Sequence, residues 1–413
     1  MKHLFVIPIL LFTMTMCTET SEHTAHKGAV ETGVYKNLFA EIGVDTTEIT
    51  AKRDSLFNQL FYGDDSTERV YYPLGTDMAY ILDTYNNDVR SEGMSYAMMI
   101  CVQMDKKEEF DRLWKFAKTV TQNHEGARKG YFGWSADPET MTLNDANPAP
   151  DGEEYYVTAL FFAAHRWGNG EGIFNYEKEA NYILHHMIHK EEENGGIKDG
   201  ITNMINHEEK KIVFVPLEEW RFSDPSYHLP AFYKLWAEWA EKDNEFWQTV
   251  ADTSEQYIVR AMHPETGLAT EYMSFDAEPQ VTPFNPHSHH FSGDSWRVAM
   301  NLGMDAHWFG VQEGYTDRAN ALLHFFFNQA LQENGDSYFS QFEQDGIPLE
   351  DNYKGVGLYA MNAVATYAST YEHNDFFIKH FWKQSLPTGT FRYYNGLLYM
   401  LGYLHVSGEF RVY

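Results

Sequence analysis

The amino-acid sequence predicts an all-α fold in which paired helices form a ring, a helical toroid, around one hydrophobic core. Apolar residues recur at helical spacing in about a dozen segments of the chain. Alternating patterns typical of strands are short and few, and residues 211–217 (KIVFVPL) are one candidate. An irregular α-solenoid is the structural alternative. In a toroid the connecting loops gather at the two ends, where we expect a cleft.

The helical segments follow one another without a Pro/Gly/Ser-rich linker, so residues 35–413 are predicted to be a single domain. Residues 108–120 place Phe110, Leu113 and Trp114 on one stripe, as expected of a helix with one exposed face. Residues 154–167 are apolar around most of the circumference, as expected of a helix covered on both sides. The predicted helices are 50–62, 92–104, 108–120, 154–167, 177–189, 227–241, 245–262, 295–309, 316–331, 356–370 and 393–407.

The first 34 residues are predicted to precede this domain. Lys2 and an apolar run from Leu4 to Met16 have the pattern of a secretory signal, and the run is too short to span a membrane. Cys17 follows directly, as in the signals of bacterial lipoproteins, so we expect an exported protein anchored to the envelope by a lipid on Cys17. Ordinary cleavage followed by secretion is the alternative. Residues 18–34 are polar and are predicted to form a flexible tether.

The balance of charges limits the classes of partner. The chain has 60 acidic and 31 basic residues and a formal net charge of -29, which argues against nucleic acid or an anionic surface as partner. Aromatic residues make up 16% of the chain, enough for the core and for a cleft that stacks on flat sugar rings. The two cysteines leave no disulfide framework. We expect a monomer.

Acidic residues mark several of the predicted helix starts. Glu92 follows Ser91, a suitable N-cap, and Asp151 and Asp294 each come just before a long apolar pattern. The helix dipole favours acids at these positions, so capping alone explains each one. The dipole also lowers the pKa of a carboxyl group, whereas a general acid needs a raised pKa. A pair of acids that meets in an aromatic cleft is nevertheless the equipment of glycoside hydrolysis.

Three loops carry further candidates. Trp134 lies in the aromatic loop GYFGWS, where core packing and sugar stacking are both reasonable interpretations. Tyr227 lies in a turn bracketed by prolines, SDPSYHLP, whose turn chemistry does not require it. His287, His289 and His290 suggest a metal site, but they lack the HExxH spacing and a cysteine partner, so packing is the favoured interpretation.

Several long motifs, in order along residues 35–413, resemble glycoside hydrolase family 8. They include DVRSEGMSYAMM, PAPDGEEYYVTALFFAAHRWG, FSDPSYHLPAFY, FSGDSWRVAMNLGMDAHWFG and FRYYNGLLYMLGYLHVSG. Within the family, the sequence is most similar to the enzymes that release xylose from the reducing end of xylo-oligosaccharides. The resemblance implies an (α/α)6 barrel, an inverting hydrolysis of β-1,4-xylo-oligosaccharides or xylan, and no metal or organic cofactor.

The resemblance also implies roles for individual residues. Glu92 matches the general acid of the family and Asp294 the general base, and inversion would place their carboxyl groups roughly 6.5–9.5 Å apart. Asp151 matches the residue that holds the sugar at the cleavage point, and Tyr227 the residue that positions the attacking water. The other candidate cleft residues carried over by similarity are Trp134, Arg90, Arg297, Arg392 and Tyr393.

One segment departs from the exo-acting relatives. They carry Leu-His-Pro in a loop that blocks one side of the cleft, where this chain has Tyr353, Lys354 and Gly355. An endo-acting xylanase of the same family is therefore an alternative. Outside this class, a non-catalytic glycan-binding lipoprotein would also fit the signal, the aromatic residues and the helices. It would give no reason for both Glu92 and Asp294 to be acids.

Overall fold

The helices of the computed structural model form two concentric rings, an (α/α)6 barrel. The structure describes residue 1, residues 27–335 and residues 337–413. The inner helices are α4 (Ser91–Gln103), α6 (Pro150–Trp167), α8 (Pro230–Trp239), α10 (Arg297–Phe309), α12 (Val356–Ala365) and α14 (Arg392–Val406). The outer helices are α3 (Thr46–Tyr62), α5 (Lys107–Phe116), α7 (Tyr176–Asn194), α9 (Asn244–Ala261), α11 (Tyr315–Gln332) and α13 (Asn374–Lys383).

Each inner helix contacts the next inner helix along the chain, and α14 contacts α4 to close the ring. Five inner helices pack against the outer helix that follows them, whereas α14 packs against α3 from the N-terminal part of the chain. The closure therefore joins the two ends of the domain.

The two rings differ in burial as the sequence predicts. Inner helix α4 buries every residue except Glu92, because it packs against inner neighbours on both sides and against the outer ring. Outer helix α5 buries one stripe, which includes Phe110, Leu113 and Trp114, and exposes the opposite face. An amphipathic pattern thus corresponds to an outer helix and an all-round apolar pattern to an inner one.

Short antiparallel strands stiffen the loops at one end of the barrel. The strands are β1 (Tyr71–Leu74), β2 (Met78–Ile81), β3 (Val89–Arg90), β4 (Ser135–Ala136), β5 (Leu143–Asp145), β6 (Ile205–Asn206) and β7 (Lys211–Ile212). They pair as β1–β2, β3–β4–β5 and β6–β7. Strand β3 leads directly into α4, so its pairing with β4 fixes the chain just before Glu92. The strand predicted at 211–217 forms only over its first two residues.

The structure corrects two predictions from the sequence. Part of the predicted tether is helical: α1 (Ala29–Thr32) packs on α10 and buries Ala29, and α2 (Leu38–Glu41) follows it. A four-residue helix is too short to show a period. Helix α13 is absent from the predicted set because its ten residues are dense in aromatic side chains, a pattern that strands share.

The predicted signal segment, Cys17 and the first part of the tether lie outside the described residues, so export and lipidation stay predictions. Within residues 27–335 and 337–413, no helix has the length and apolar character needed to cross a lipid bilayer.

Close packing of two inner helices gives a test of the fold. A Cβ atom at Gly303 of α10 would lie 2.3 Å from the backbone oxygen of Val364 in α12. We expect Gly303→Ala to lower the free energy of unfolding by about 1–3 kcal/mol, because helix backbones must separate. Gly396→Ala on α14 is the matched control, since its Cβ would meet side-chain ends and no backbone, Leu60 Cδ1 at 3.1 Å and Pro387 Cγ at 3.9 Å.

Chemical denaturation of both variants measures the difference. The gain in helix propensity should keep Gly396→Ala within about 1 kcal/mol of the wild type. Equal stability of the two variants would contradict the close approach of α10 and α12.

Candidate active site

The starts of the inner helices meet at one end of the barrel, and three of the candidate acids lie there around a single arginine. Arg297, the first residue of α10, is 2% exposed. Its Nη1 lies 2.8 Å from Asp151 Oδ2 and 3.4 Å from Glu92 Oε2, and its Nη2 lies 3.0 Å from Asp294 Oδ1. The three acids are far apart in sequence, so the closure of the ring brings them together.

The shared arginine limits the separation of the two candidate catalytic carboxyl groups. The terminal nitrogens of a guanidinium group are about 2.3 Å apart. Given the contacts of 3.4 Å to Glu92 and 3.0 Å to Asp294, the two contacting oxygens are at most about 9 Å apart. This upper limit is compatible with the roughly 6.5–9.5 Å expected of an inverting enzyme. The separation itself stays a prediction.

Glu92 lies in the first turn of α4, and its carboxyl group has the raised pKa that a general acid needs. Burial raises the pKa of Glu92 to about 8; Arg297 opposes the rise, and the carboxyl groups of Asp151 and Asp294 add to it. The hydroxyl of Tyr393 donates a hydrogen bond to Glu92 Oε1 at 3.0 Å. The Glu92 side chain keeps 16% of its surface exposed, which leaves it open to a ligand. The shift is thus opposite to the lowering that a helix start favours, and burial is its largest cause.

The glycine after Glu92 makes room for Tyr393. A Cβ atom at Gly93 would lie 2.4 Å from Cε2 of the Tyr393 ring. The tyrosine that contacts Glu92 could not occupy its present position beside any larger residue. The glycine of the SEGMSY motif therefore serves the contact between α4 and α14.

Asp151 lies at the start of α6 and is 3% exposed. Burial raises its pKa to about 6, while the charge and the hydrogen bond of Arg297 oppose the rise. Its Oδ1 also accepts a hydrogen bond of 2.9 Å from the backbone amide of Gly152. Both carboxyl oxygens are thus held, which suits a residue that presents a fixed acceptor to a ligand rather than one that transfers a proton.

Asp294 is the most exposed of the three acids, with 32% of its side-chain surface accessible. It lies in the 3₁₀ turn Gly293–Trp296 that precedes α10. Ser292 and Ser295 form reciprocal capping hydrogen bonds across this turn, and the Tyr394 hydroxyl donates to the Gly293 carbonyl at 2.9 Å. The turn is therefore rigid while the carboxylate remains accessible to water, as a general base requires.

Tyr227 closes the site from the side of α8. The Arg297 guanidinium carbon lies 5.5 Å from the centroid of the Tyr227 ring, within the range of a cation–π contact. Tyr227 ends the 3₁₀ turn Pro225–Tyr227, in which the Ser226 amide donates a hydrogen bond to the capping side chain of Asp224. Tyr227 thus lies beside the same guanidinium as the three acids.

The remaining predicted cleft residues fall into two groups. Arg90 stacks over Trp134 at 5.3 Å and pairs with Asp88 at 2.9 Å, so both lie beside Glu92 at the start of α4. Arg392 is different, because its hydrogen bonds go to the backbone carbonyls of residues 65, 66, 69 and 389. The structure brings Tyr393 into the site and gives Arg392 a role in the scaffold.

Sequence reasoning missed two acids near Asp294. Glu271 is 6% exposed, and burial together with Asp294 raises its pKa to about 7. Asp224 is fully buried, and burial and Asp294 raise its pKa well above the usual range. Asp224 caps the turn Pro225–Tyr227, which by itself explains an acid at that position, and Glu271 lies in a loop whose pattern gives no signal. Only the tertiary structure shows that both acids are buried close to Asp294, which distinguishes them from surface acids.

The metal interpretation of the histidine loop is wrong for the part of the chain that the structure describes. No group of three or more His, Cys, Asp or Glu side chains there is arranged to hold a metal ion. The rings of His289 and His290 instead contact each other, with centroids 3.9 Å apart and planes tilted by 45°.

Comparison with known proteins gives consistent results. Residues 81–407 match the model of "Glycosyl hydrolases family 8". The chain is 43% identical over 389 residues to the reducing-end xylose-releasing exo-oligoxylanase Rex8A of Paenibacillus barcinonensis. The aligned region covers 94% of this chain and 99% of that protein. A reducing end xylose-releasing exo-oligoxylanase of Halalkalibacterium halodurans is also 43% identical, over 94% of this chain and 96% of its own length.

Solved structures agree with the sequence matches. The structure of Rex8A complexed with xylose superposes with a TM-score of 0.88 at 42% identity. The superposition covers 94% of this chain and 100% of that chain. A family 8 xylanase of Teredinibacter turnerae, solved as a catalytic mutant with xylohexaose, superposes with a TM-score of 0.87 at 44% identity, covering 93% of this chain and 99% of that one.

Proposed function

Because this chain belongs to glycoside hydrolase family 8, we propose that it hydrolyses β-1,4-xylo-oligosaccharides with inversion and releases xylose from the reducing end. The observation that carries the proposal is the arrangement of Glu92 and Asp294 on one guanidinium. A carboxyl group that is only 16% exposed and has a pKa of about 8 faces a more accessible carboxyl group across Arg297. The relatives named for reducing-end release of xylose support the substrate and the direction of cleavage.

The chemistry divides between the two carboxyl groups. Glu92, protonated, donates its proton to the glycosidic oxygen as the bond from that oxygen to the anomeric carbon breaks. Asp294, ionised, removes a proton from a water molecule that attacks the anomeric carbon from the opposite face. The product has inverted configuration, and exchange with solvent returns the proton from Asp294 to Glu92. Each proton transfer contributes about 10²–10⁴-fold to the rate.

The other residues of the site bind and orient. Asp151, held by Arg297 and the Gly152 amide, accepts hydrogen bonds from sugar hydroxyl groups at the cleavage point. Tyr227 lies against the same guanidinium and positions the attacking water. The carbonyl of Trp134 accepts a hydrogen bond of 3.0 Å from the Ser91 amide, so the Trp134 backbone is joined to the start of α4.

The pH dependence of kcat/KM follows from the raised pKa of Glu92. A general acid must be protonated, so on the alkaline side kcat/KM should begin to fall near pH 7 and should fall tenfold per unit above the Glu92 pKa of about 8. Initial rates on a xylo-oligosaccharide at constant ionic strength measure this alkaline limb. Glu271→Gln is the control, because Glu271 is the neighbouring carboxyl group with a pKa of about 7. An alkaline limb that disappears in this variant would assign the limb to Glu271 instead.

An endo-acting xylanase is the second candidate, because this chain has Tyr353, Lys354 and Gly355 where the exo-acting relatives carry the blocking Leu-His-Pro. The Teredinibacter turnerae protein solved with xylohexaose is named only as a family 8 xylanase, and at 44% identity it is as similar to this chain as the relatives named for reducing-end release. Lys354 is bound at 2.6 Å to Glu333 and at 2.8 Å to Ser337, so its side chain is held at the end of α11. Tyr353 is 44% exposed.

A time course of product release separates the two activities. The enzyme is incubated with xylo-oligosaccharides and with the same oligosaccharides reduced to alditols, and products are separated by chromatography. Exo action should release only xylose and the shortened oligosaccharide from the free substrates and should fail on the reduced ones. Products of cleavage at internal bonds, from both the free and the reduced oligosaccharides, would establish endo action. Absence of any hydrolysis would contradict the proposed function.

A further inference from the structure

A buried acid that the mechanism does not use, Glu271, lies behind the turn that carries Asp294. A Cβ atom at Gly293 would lie 3.3 Å from Glu271 Oε1, so this carboxyl group faces the backbone of the residue just before Asp294. Only 6% of Glu271 is exposed. Burial of a carboxyl group costs free energy that its hydrogen bonds must offset, so the partners of Glu271 indicate what the residue does.

On one side, Glu271 holds the turn itself. The Ser292 side chain and the backbone amide of Asp294 both donate hydrogen bonds to its carboxyl group, and they oppose the rise of its pKa to about 7. Ser292 Oγ already accepts hydrogen bonds from Gln341 Nε2 at 3.1 Å and from the Ser295 amide, so its proton remains for Glu271. Glu271 therefore binds the backbone of Asp294 directly.

On the other side, Glu271 is held by the histidine loop, residues 285–290. Asn285 Nδ2 donates to Glu271 Oε2 at 2.6 Å, and Asn285 Oδ1 accepts from the His287 amide at 2.9 Å. These two contacts fix which end of the Asn285 side chain faces Glu271. The Glu271 amide donates to the His290 carbonyl at 3.0 Å, so its side chain and its backbone are both anchored. The loop whose sequence suggested a metal site thus supports Glu271.

The surroundings of Glu271 suit positioning rather than proton transfer. Its carboxyl oxygens are engaged by Asn285, Ser292 and the Asp294 amide, whereas the Asp294 side chain keeps 32% of its surface exposed. Asp294 is therefore the group that can reach water. The direction of its carboxylate depends on Arg297 Nη2 at 3.0 Å and on the backbone of the turn. A displacement of about 1 Å at a reacting group can lower the rate by about 10²-fold.

We propose that Glu271 is a positioning residue of the reaction: its hydrogen bonds to Ser292 and to the Asp294 amide hold the turn so that the Asp294 carboxylate faces the attacking water. This inference rests on the proposed function, in which Asp294 is the general base. The histidine loop acts through Asn285, which keeps Glu271 in place. Because Glu271 contacts protein groups on both sides, its loss should affect kcat rather than KM.

Glu271→Ala removes the support of the turn. It is expected to lower kcat on xylo-oligosaccharides by about 10- to 100-fold and to leave KM within about 3-fold of the wild type. Glu191→Ala is the matched control, because Glu191 on outer helix α7 also accepts a backbone hydrogen bond, from the Asn203 amide at 3.1 Å. The control should keep the wild-type kcat. Steady-state rates give kcat and KM, and thermal unfolding shows that each variant is folded.

An exchange of the two side chains, Glu271→Gln/Asn285→Asp, tests the hydrogen bonds and does not need Glu271→Ala to fold. Glu271→Gln alone turns an amide donor towards the Asn285 donor, and Asn285→Asp alone places two carboxyl groups together. Each single variant should lower kcat by about 3- to 10-fold, because the support of the turn is weakened. The double variant again sets a donor opposite an acceptor, and the glutamine oxygen still accepts from the Asp294 amide. Its kcat should return to within about 3-fold of the wild type.

The results distinguish the positioning role from its alternatives. An unchanged kcat in Glu271→Ala, or a rise in KM alone, would overturn it. A folded double variant that is no more active than the single variants would overturn it as well, since the charge of Glu271 and not its hydrogen bonds would then be required. These results leave the proposed function intact. A wild type that cleaves no xylo-oligosaccharide would overturn the proposed function and the positioning role together.

Discussion

Glu92→Gln and Asp294→Asn are each expected to lower kcat on xylo-oligosaccharides by a factor of about 10²–10⁴ or more. Each amide keeps the shape of the side chain but removes the acid that donates a proton or the base that accepts one. The losses should not add in the double variant, because the two groups act in one step. Single-turnover and steady-state rates measure kcat, and thermal unfolding shows that the fold is intact.

The same substitution at Glu92 should stabilise the protein above neutral pH. A glutamate in an unfolded chain has a pKa of about 4.3, whereas burial raises the folded-state pKa of Glu92 to about 8. Stability therefore falls as the pH rises from the unfolded value through the folded value, because only the folded state resists losing the proton. The glutamine variant has no carboxyl group to deprotonate at this position. The difference in melting temperature between this variant and the wild type should therefore increase, in favour of the variant, between pH 4 and pH 8.

Glu108→Gln is the matched control for this advantage. Glu108 is also an acid in the first turn of a helix, α5, but its side chain is 80% exposed. Its substitution should leave both kcat and the pH dependence of stability unchanged. Near-wild-type activity of Glu92→Gln or of Asp294→Asn would contradict the assignment of the two catalytic roles.

Arg297→Met is expected to remove activity and to lower the free energy of unfolding by about 3–5 kcal/mol at neutral pH. The substitution leaves Glu92, Asp151 and Asp294 without the cation that they share. Since Arg297 opposes the raised pKa of Glu92 and of Asp151, both pKa values rise further without it. The loss of stability relative to the wild type should therefore grow as the pH rises above the folded pKa values of the wild type, about 6 for Asp151 and about 8 for Glu92.

Arg392→Met is the control that separates this pH-dependent loss of stability from the loss that removal of any buried arginine would cause. Arg392 is 5% exposed, and its hydrogen bonds go to backbone carbonyls, which do not titrate in this range. Its substitution should destabilise the protein by an amount that does not change with pH. Melting temperatures of both variants from pH 5 to pH 9 provide the comparison. Parallel curves for the two variants would show that Arg297 does not act through the three acids.

The sequence predicts the helical part of this structure well, because helical periodicity is a local property. The stripe of Phe110 and Trp114 identifies an outer helix, and the all-round apolar pattern of α6 identifies an inner one. Periodicity fails where it has no room to repeat, as in α1, and where aromatic residues dominate, as in α13. The acids at the starts of the inner helices are visible in the sequence, but each has a sufficient explanation as a helix-start residue.

By itself, then, the sequence determined which segments are helices, which of them are covered on both sides, and which acids stand at helix starts. Only the tertiary structure decided that Arg297 joins Glu92, Asp151 and Asp294, that Tyr393 belongs to the site while Arg392 belongs to the scaffold, and that Glu271 lies beside Asp294. The physical reason is distance along the chain. A helix is specified by residues within a few turns, whereas convergence and the burial that raises the Glu92 pKa arise only when α14 closes the ring against α4.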